Sequence, residues 1–150
     1  MRQQAFTLIE LMVVLAVAAI LVATAVPSFS TYLTNKQAAS LKSRLTMDIR
    51  SARIKADTLD ETITILPVNG DWDNGWQIRD SNNVIIKETL LDDLKDVFTS
   101  THPQIQFDRY GRSSNAVTID IKVPKCSGNN VYKIMTTTLG QVSTGDSTCS

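Results

Sequence analysis

The chain has 150 residues, enough for one modest domain plus an attached segment. Its fifteen basic and fifteen acidic side chains cancel, so no bulk charge draws it toward nucleic acid or anionic lipid. Two cysteines and one histidine, His102, make no zinc-type ligand set, and no G-x-S-x-G, H-E-x-x-H or Walker motif occurs; no enzyme activity, cofactor or metal is expected.

The chain opens on its most apolar stretch, Phe6 to Val26 (FTLIELMVVLAVAAILVATAV), closed by Pro27. As a helix this stretch is about 32 Å long, the thickness of a bilayer's hydrocarbon core. A secretory signal would use Met1 and Arg2 as its charged start and Ala23-Thr24-Ala25 as its cleavage site. A plain membrane anchor would need no more than the apolar run. Neither has a use for Glu10, because an acid in lipid costs a few kcal/mol and normally signals a partner. The chain has no Lys or Arg between Glu10 and Lys36, so the counter-charge must come from another molecule or from a newly made amino terminus. Arg2 is the only charge ahead of the run, which keeps that end cytoplasmic and sends the remainder across the membrane.

Phe6-Thr7-Leu8-Ile9-Glu10, behind a short charged leader, resembles the class III signal of type IV pilins and type II secretion pseudopilins. The resemblance implies that a prepilin peptidase cuts between Ala5 and Phe6 and methylates the new amine of Phe6. Residues 1–5 are then a leader, 6–33 a hydrophobic transmembrane and assembly helix, and 34–150 a periplasmic globular domain that includes the rest of the helix. Glu10 becomes the fifth mature residue, which in that family pairs with a neighbouring subunit's amine, and Pro27 matches the proline that kinks the family's long helix. The residue before the cut is usually Gly there. Ala5, the next smallest side chain, implies slower rather than abolished cleavage.

Beyond Pro27, Ala38, Leu41, Leu45, Ile49, Ala52, Ala56 and Leu59 recur at helical spacing and predict an amphipathic helix packed on a sheet. Lys36, Lys42, Arg44, Arg50, Arg53 and Lys55 lie largely off that stripe. From Thr62 the pattern turns to strands: Thr62 to Val68, Ile78 to Asp80, Val84 to Glu88, Ile105 to Phe107, Ala116 to Val123, and a terminal hairpin of Val131 to Thr137 and Gln141 to Ser143. Asn69-Gly70, Asn74-Gly75, Ser81-Asn82-Asn83, Tyr110-Gly111 and Leu139-Gly140 read as turns. Leu90 to Val97 is ambiguous between helix and strand. The fold class is α+β: one long helix followed by a mostly antiparallel sheet. Trp72 and Trp76 are expected to pack against the helix. Asp71 and Asp73 lack the alternating ligands and distal Glu of a calcium loop.

Trp72-x-x-Gly75-Trp76, then Phe107-Asp108-x-x-Gly111, then a β-rich end with Gly140 and a penultimate Cys149, resembles the GspH/FimT branch of minor pilins and pseudopilins. In an exported domain Cys126 and Cys149 are expected to pair, closing a loop that contributes about 3 kcal/mol in a chain-entropy estimate and clamping the terminal hairpin. The resemblance implies a minor pilin of a type IV pilus, held in the inner membrane and then drawn into the filament at its initiation or tip complex. Its partners would be other major and minor pilins, the prepilin peptidase, the membrane and the assembly machinery. The cysteine pair resembles that of pilus members of the branch; a minor pseudopilin of a type II secretion system is the alternative. A second alternative is a DNA-binding competence pilin, with Arg109, Arg112, Lys125 and Lys133 as candidate contacts. That subgroup's Gly-Arg-x-Arg motif corresponds here to Gly140-Gln141-Val142-Ser143, which has neither Arg.

Overall fold

The computed structural model describes residues 8–92, 97–122, 124, 126 and 128–149, except for the side chains of helical residues 24–28, 30, 31 and 34. Helix α1 (Leu8–Leu59) precedes eight strands: β1 (Ile63–Val68), β2 (Asp71–Arg79), β3 (Ile85–Leu90), β4 (Phe98–Ser100), β5 (Ile105–Phe107), β6 (Val117–Ile121), β7 (Val131–Thr136) and β8 (Val142–Ser147). The chain divides after Leu33 into two compact units.

In the first unit every described side chain from Leu8 to Ala23 is exposed, the large apolar ones by 51–76%. In the second unit α1 is amphipathic. Ala38, Leu41, Leu45, Ile49, Ala52 and Ala56 are at most 4% exposed and face the core. The stripe ends there. Leu59, expected on it, is 54% exposed at the end of the helix, where Asp60 takes a left-handed conformation (φ 53°) and the Glu61 amide donates back to the Ala56 carbonyl. That six-to-one bond is a Schellman-type stop, and it ends α1 at Leu59.

The strands form two four-stranded antiparallel sheets, ordered β3-β2-β1-β5 and β4-β6-β7-β8, where the sequence had suggested one. Both supply alternate residues to a common core with the α1 stripe: Ile63, Ile65 and Ile78 from the first sheet, Ile119, Ile121 and Ile134 from the second. Trp76 and Phe98 meet edge to face across the sheets, ring centroids 6.2 Å apart. Pro67 sits at the register shift between β1 and β2 and beyond the rungs β1 shares with β5, a position where a sheet tolerates proline.

Asn74-Gly75 is not a turn. It lies inside β2, a nine-residue strand, and Gly75 pairs with Leu90. A side chain there would put its Cβ 2.0 Å from the Thr89 carbonyl oxygen, so the glycine answers to a close backbone approach as well as to its φ of 112°. Strand β4 was not expected from the sequence. The stretch from Leu90 to Val97 is described only at its ends, residues 93–96 lying outside the described residues.

Candidate functional site

The first unit presents a helix with apolar side chains exposed around its whole circumference, far more than a few isolated surface leucines. Such a surface has to be covered by lipid or by other protein. Glu10 is exposed in the first turn of α1, where a carboxylate also suits the positive end of the helix dipole. Pro27 lies within α1, whereas Ala5 and Phe6 fall outside the described residues. Among the described residues no helix is long and apolar enough to cross a membrane.

In the second unit the helix is fixed by polar connections beside its apolar stripe: Lys42 lies 3.2 Å from Asp146 and over the Tyr132 ring, and two others involve Asp48 and Arg53. The first centres on Asp48, whose carboxylate is 7% exposed. The Trp76 indole N–H donates to Oδ2 at 2.8 Å and the Lys87 ammonium to Oδ1 at 2.6 Å, with the Thr89 hydroxyl 3.5 Å away. One buried acid thus ties α1 to β2 and β3 at once, and both oxygens are satisfied by strong donors. The second connection is Arg53, which donates from Nε to the Gly111 carbonyl at 3.1 Å. Gly140 packs so tightly on the same spot that a Cβ would lie 1.9 Å from that carbonyl oxygen. The turn after β5 and the turn after β7 therefore stack on one arginine of the helix.

Asp73 is also buried, and it accepts from the backbone amides of Val97 and Phe98 at 3.1 and 2.9 Å. Its carboxylate starts β4, and Asp71 in turn accepts from the Asp73 amide. Trp72 is buried as well, and both tryptophans belong to the core that includes the α1 stripe. Cys126 and Cys149 form a disulfide, Cα–Cα 6.0 Å, joining the β6–β7 connection to the residues after β8. Beside it the Cys149 amide donates to the Gly128 carbonyl at 2.9 Å.

Of the candidate DNA contacts, each described one faces a carboxylate. Arg109 lies 3.8 Å from Asp60, Arg112 3.8 Å from Asp108 and over the Tyr110 ring, and Lys133 3.5 Å from Asp120. These acids compete with phosphate for the same cations. Lys125 is outside the described residues. The His102 ring contacts the Thr101 hydroxyl at 3.2 Å, while its carbonyl accepts from Ser100.

Asp48, Asp73 and Arg53 were not picked out by sequence reasoning. Only Asp48 left a signal. It lies three residues after Leu45 and four before Ala52, which places a charge on the helix's apolar side, and such a charge needs a partner.

Compared with known proteins, residues 1–26 match the model of the prokaryotic N-terminal methylation motif, and residues 43–140 match that of type II transport protein GspH. No curated protein matches the chain. Among solved structures it is similar to the type IV minor pilin FimU of Pseudomonas aeruginosa (strain PAO1) in two crystal forms. The P21 form superposes with a TM-score of 0.58 at 15% identity over 78% of this chain and 92% of that one. The P65 form gives 0.51 at 16% identity over 73% and 91%.

Proposed function

We propose that this chain, which belongs to the family of type II transport protein GspH, is a GspH/FimT-type minor pilin of a type IV pilus that enters the filament through its first helix. The observation that carries this reading is an order of parts. A methylation motif over residues 1–26 precedes a GspH domain over 43–140, and the helix joining them leaves its apolar side chains from Leu8 to Ala23 exposed.

In this reading the peptidase cuts between Ala5 and Phe6 and methylates Phe6. The first part of α1 rests in the inner membrane with the second unit in the periplasm, until the assembly machinery draws it out among the helices of other pilins. Lipid tails and neighbouring helices are about equally apolar, so the transfer itself is nearly neutral in free energy. Glu10 then sets the register. Paired with the Phe6 amine of the adjacent subunit its carboxylate is satisfied; one helical turn out of place, a charge is buried without a partner at a cost of several kcal/mol. The protein's role is structural, with cutting and methylation done to it by others.

Mass spectrometry of the mature amino terminus tests the reading. It should find methylated Phe6, whereas a chain beginning at Val26 would establish the secretory signal and remove the filament role. Glu10→Ala should leave the globular unit folded and deplete the protein from sheared filaments; undiminished incorporation would refute the pairing. The family's own description favours one second reading, a minor pseudopilin of a type II secretion system. Loss of twitching motility in a deletion strain supports the pilus, and loss of enzyme secretion supports the pseudopilus.

A further inference from the structure

Four strands end the two sheets, and they differ in what they offer at the edge. β4 and β5 have three residues each, and β8 (VSTGDS) has a single apolar side chain. β3 has six residues. Its Ile85 and Leu90 are 47 and 60% exposed, and Val84 just ahead of it is 59% exposed. We propose that β3 accepts an added strand, an extended segment of a partner protein with a basic residue opposite Glu88 and an apolar residue opposite Leu90. The proposal concerns the globular unit alone and goes beyond the filament reading.

The ladder shows which backbone groups are on offer. The Leu91 amide donates to the Asn74 carbonyl at 3.1 Å, and pairing with β2 is regular from Lys87 to Leu90. Bonded and non-bonded pairs alternate in an antiparallel ladder, so Lys87 and Thr89 direct their N–H and C=O groups at β2 while Glu88 and Leu90 direct theirs outward. Among the described residues nothing bonds to those outward groups. An extended backbone supplies donors and acceptors at the matching interval.

Natural sheets guard such an edge with charge or proline. β3 has one Lys and one Glu, and both are drawn off it. The Lys87 ammonium reaches across to Asp48 on α1, and the Glu88 carboxylate accepts from the Gln77 amide of β2. Gln77 leaves the Glu88 charge uncompensated, since Arg79 directs its donors to Gln77 and Asn83 and Glu88 forms no ion pair among the described residues. A cation directly across a strand pair is the complement of that carboxylate. On the α1 side, adjoining hollows of about 400 and 390 Å³ share Arg44 and Leu90. Arg44 and Asp92 line the second hollow with opposite charges, so that side favours neither sign. A second copy is a poorer occupant: pairing β3 with itself about Lys87 or Glu88 sets like charges opposite each other.

The test uses the full chain in a nonionic detergent and fluorescein-labelled peptides of about seven residues, a common strand length. The parent peptide has Val and Lys two apart in a background of Thr, and it should bind. N-methylation of its Val and Lys amides should weaken binding at least tenfold, as two lost hydrogen bonds imply, whereas methylating the flanking Thr amides should not. Replacing Lys by Glu should weaken it about fivefold, and Glu88→Lys should reverse that preference. Leu90→Pro removes an outward N–H and no bond to β2, so it should block binding with the urea midpoint little changed. Should Leu90→Pro unfold the sheet, Glu88→Lys, an exposed change, still decides. No binding of the parent peptide, equal binding of the two methylated peptides, or no reversal by Glu88→Lys overturns the proposal. Self-association of the chain that Leu90→Pro abolishes, without peptide binding, also overturns it and makes a second copy the occupant. If these results fail while methylated Phe6 and Glu10-dependent incorporation hold, only the role of β3 is wrong.

Discussion

The Asp48 connection yields the most discriminating stability experiment, because its two strong hydrogen bonds lie in different surroundings. Trp76 is 1% exposed, so once Asp48 is truncated to Ala its N–H has neither a protein acceptor nor water, and such a buried donor costs about 1–3 kcal/mol. The Lys87 side chain is 52% exposed and can turn to solvent, so its half of the network is worth at most about 1 kcal/mol despite the 2.6 Å contact. Asp48→Ala should therefore destabilise by about 1–4 kcal/mol. Asp48→Asn keeps an acceptor for Trp76 and buries no charge, so it should cost about 1 kcal/mol. Both tryptophans are buried in the second unit, so their fluorescence reports urea unfolding of the full chain in a nonionic detergent. At a slope of about 1.5–2 kcal/mol/M, Asp48→Ala should move the midpoint down by about 0.5–2.5 M, further than Asp48→Asn does. If Asp48→Asn cost as much as Asp48→Ala, the indole bond would not carry most of the stabilisation, and this division of the network would be refuted.

Gly140→Ala and Gly75→Ala meet backbone oxygens at 1.9 and 2.0 Å, whereas nothing lies within 4 Å of a Cβ at Gly70. Urea titration should show a loss of about 1 kcal/mol for Gly70→Ala, the cost of a left-handed alanine, and about 3 kcal/mol or more for the other two. Reducing Cys126–Cys149, or replacing both cysteines with Ser, should cost about 3 kcal/mol for a loop of this length, read as the shift between oxidised and reduced urea midpoints. Non-reducing peptide mapping should recover the two cysteines joined, and two alkylatable thiols in exported protein would contradict it. Glu10→Ala should leave the urea midpoint of the second unit unchanged, since the core begins at Ala38; a large drop would show that the first unit supports the domain's fold.

The sequence disclosed what periodicity encodes. The α1 stripe from Ala38 to Ala56 was legible because packing on one side of a helix enforces a spacing of three and four residues, and Val117 to Ile121 because alternate strand residues face the core. What stayed hidden depends on contacts between distant residues. Strand β4 has only three residues and begins where Asp73, more than twenty positions earlier, accepts two backbone amides; no local pattern announces that. Asn74-Gly75 carries a turn's chemistry, yet β3 lies alongside it and holds it in a strand. The split into two sheets was equally invisible, because strand periodicity says which face is buried and nothing about which edges pair. At the candidate site Glu10 announced itself as a charge in an apolar run, and Asp48 did so more faintly. Arg53 looked like any other solvated cation of the helix, since its acceptor is a backbone carbonyl whose position only the fold sets.

The polar connections matter beyond the stability they add, because the α1 stripe does not define its own register. Ala38, Leu41, Leu45, Ile49, Ala52 and Ala56 form a nearly repeating series, so sliding the helix by one turn would offer the sheets another set of similar side chains. Apolar packing resists such a slide weakly, since it is non-directional. Asp48 meets Trp76 and Lys87 at one axial position, and Arg53 meets Gly111 at another. A one-turn slip would leave the Trp76 N–H and the Gly111 carbonyl without their partners and strand a buried carboxylate, a penalty of several kcal/mol concentrated at two points. In a filament subunit extracted by its first helix, the load runs along the axis of α1. Resistance to that load has to come from groups whose bonds are lost by a shift of a few ångströms, and in this fold Asp48, Arg53 and Lys42 are such groups.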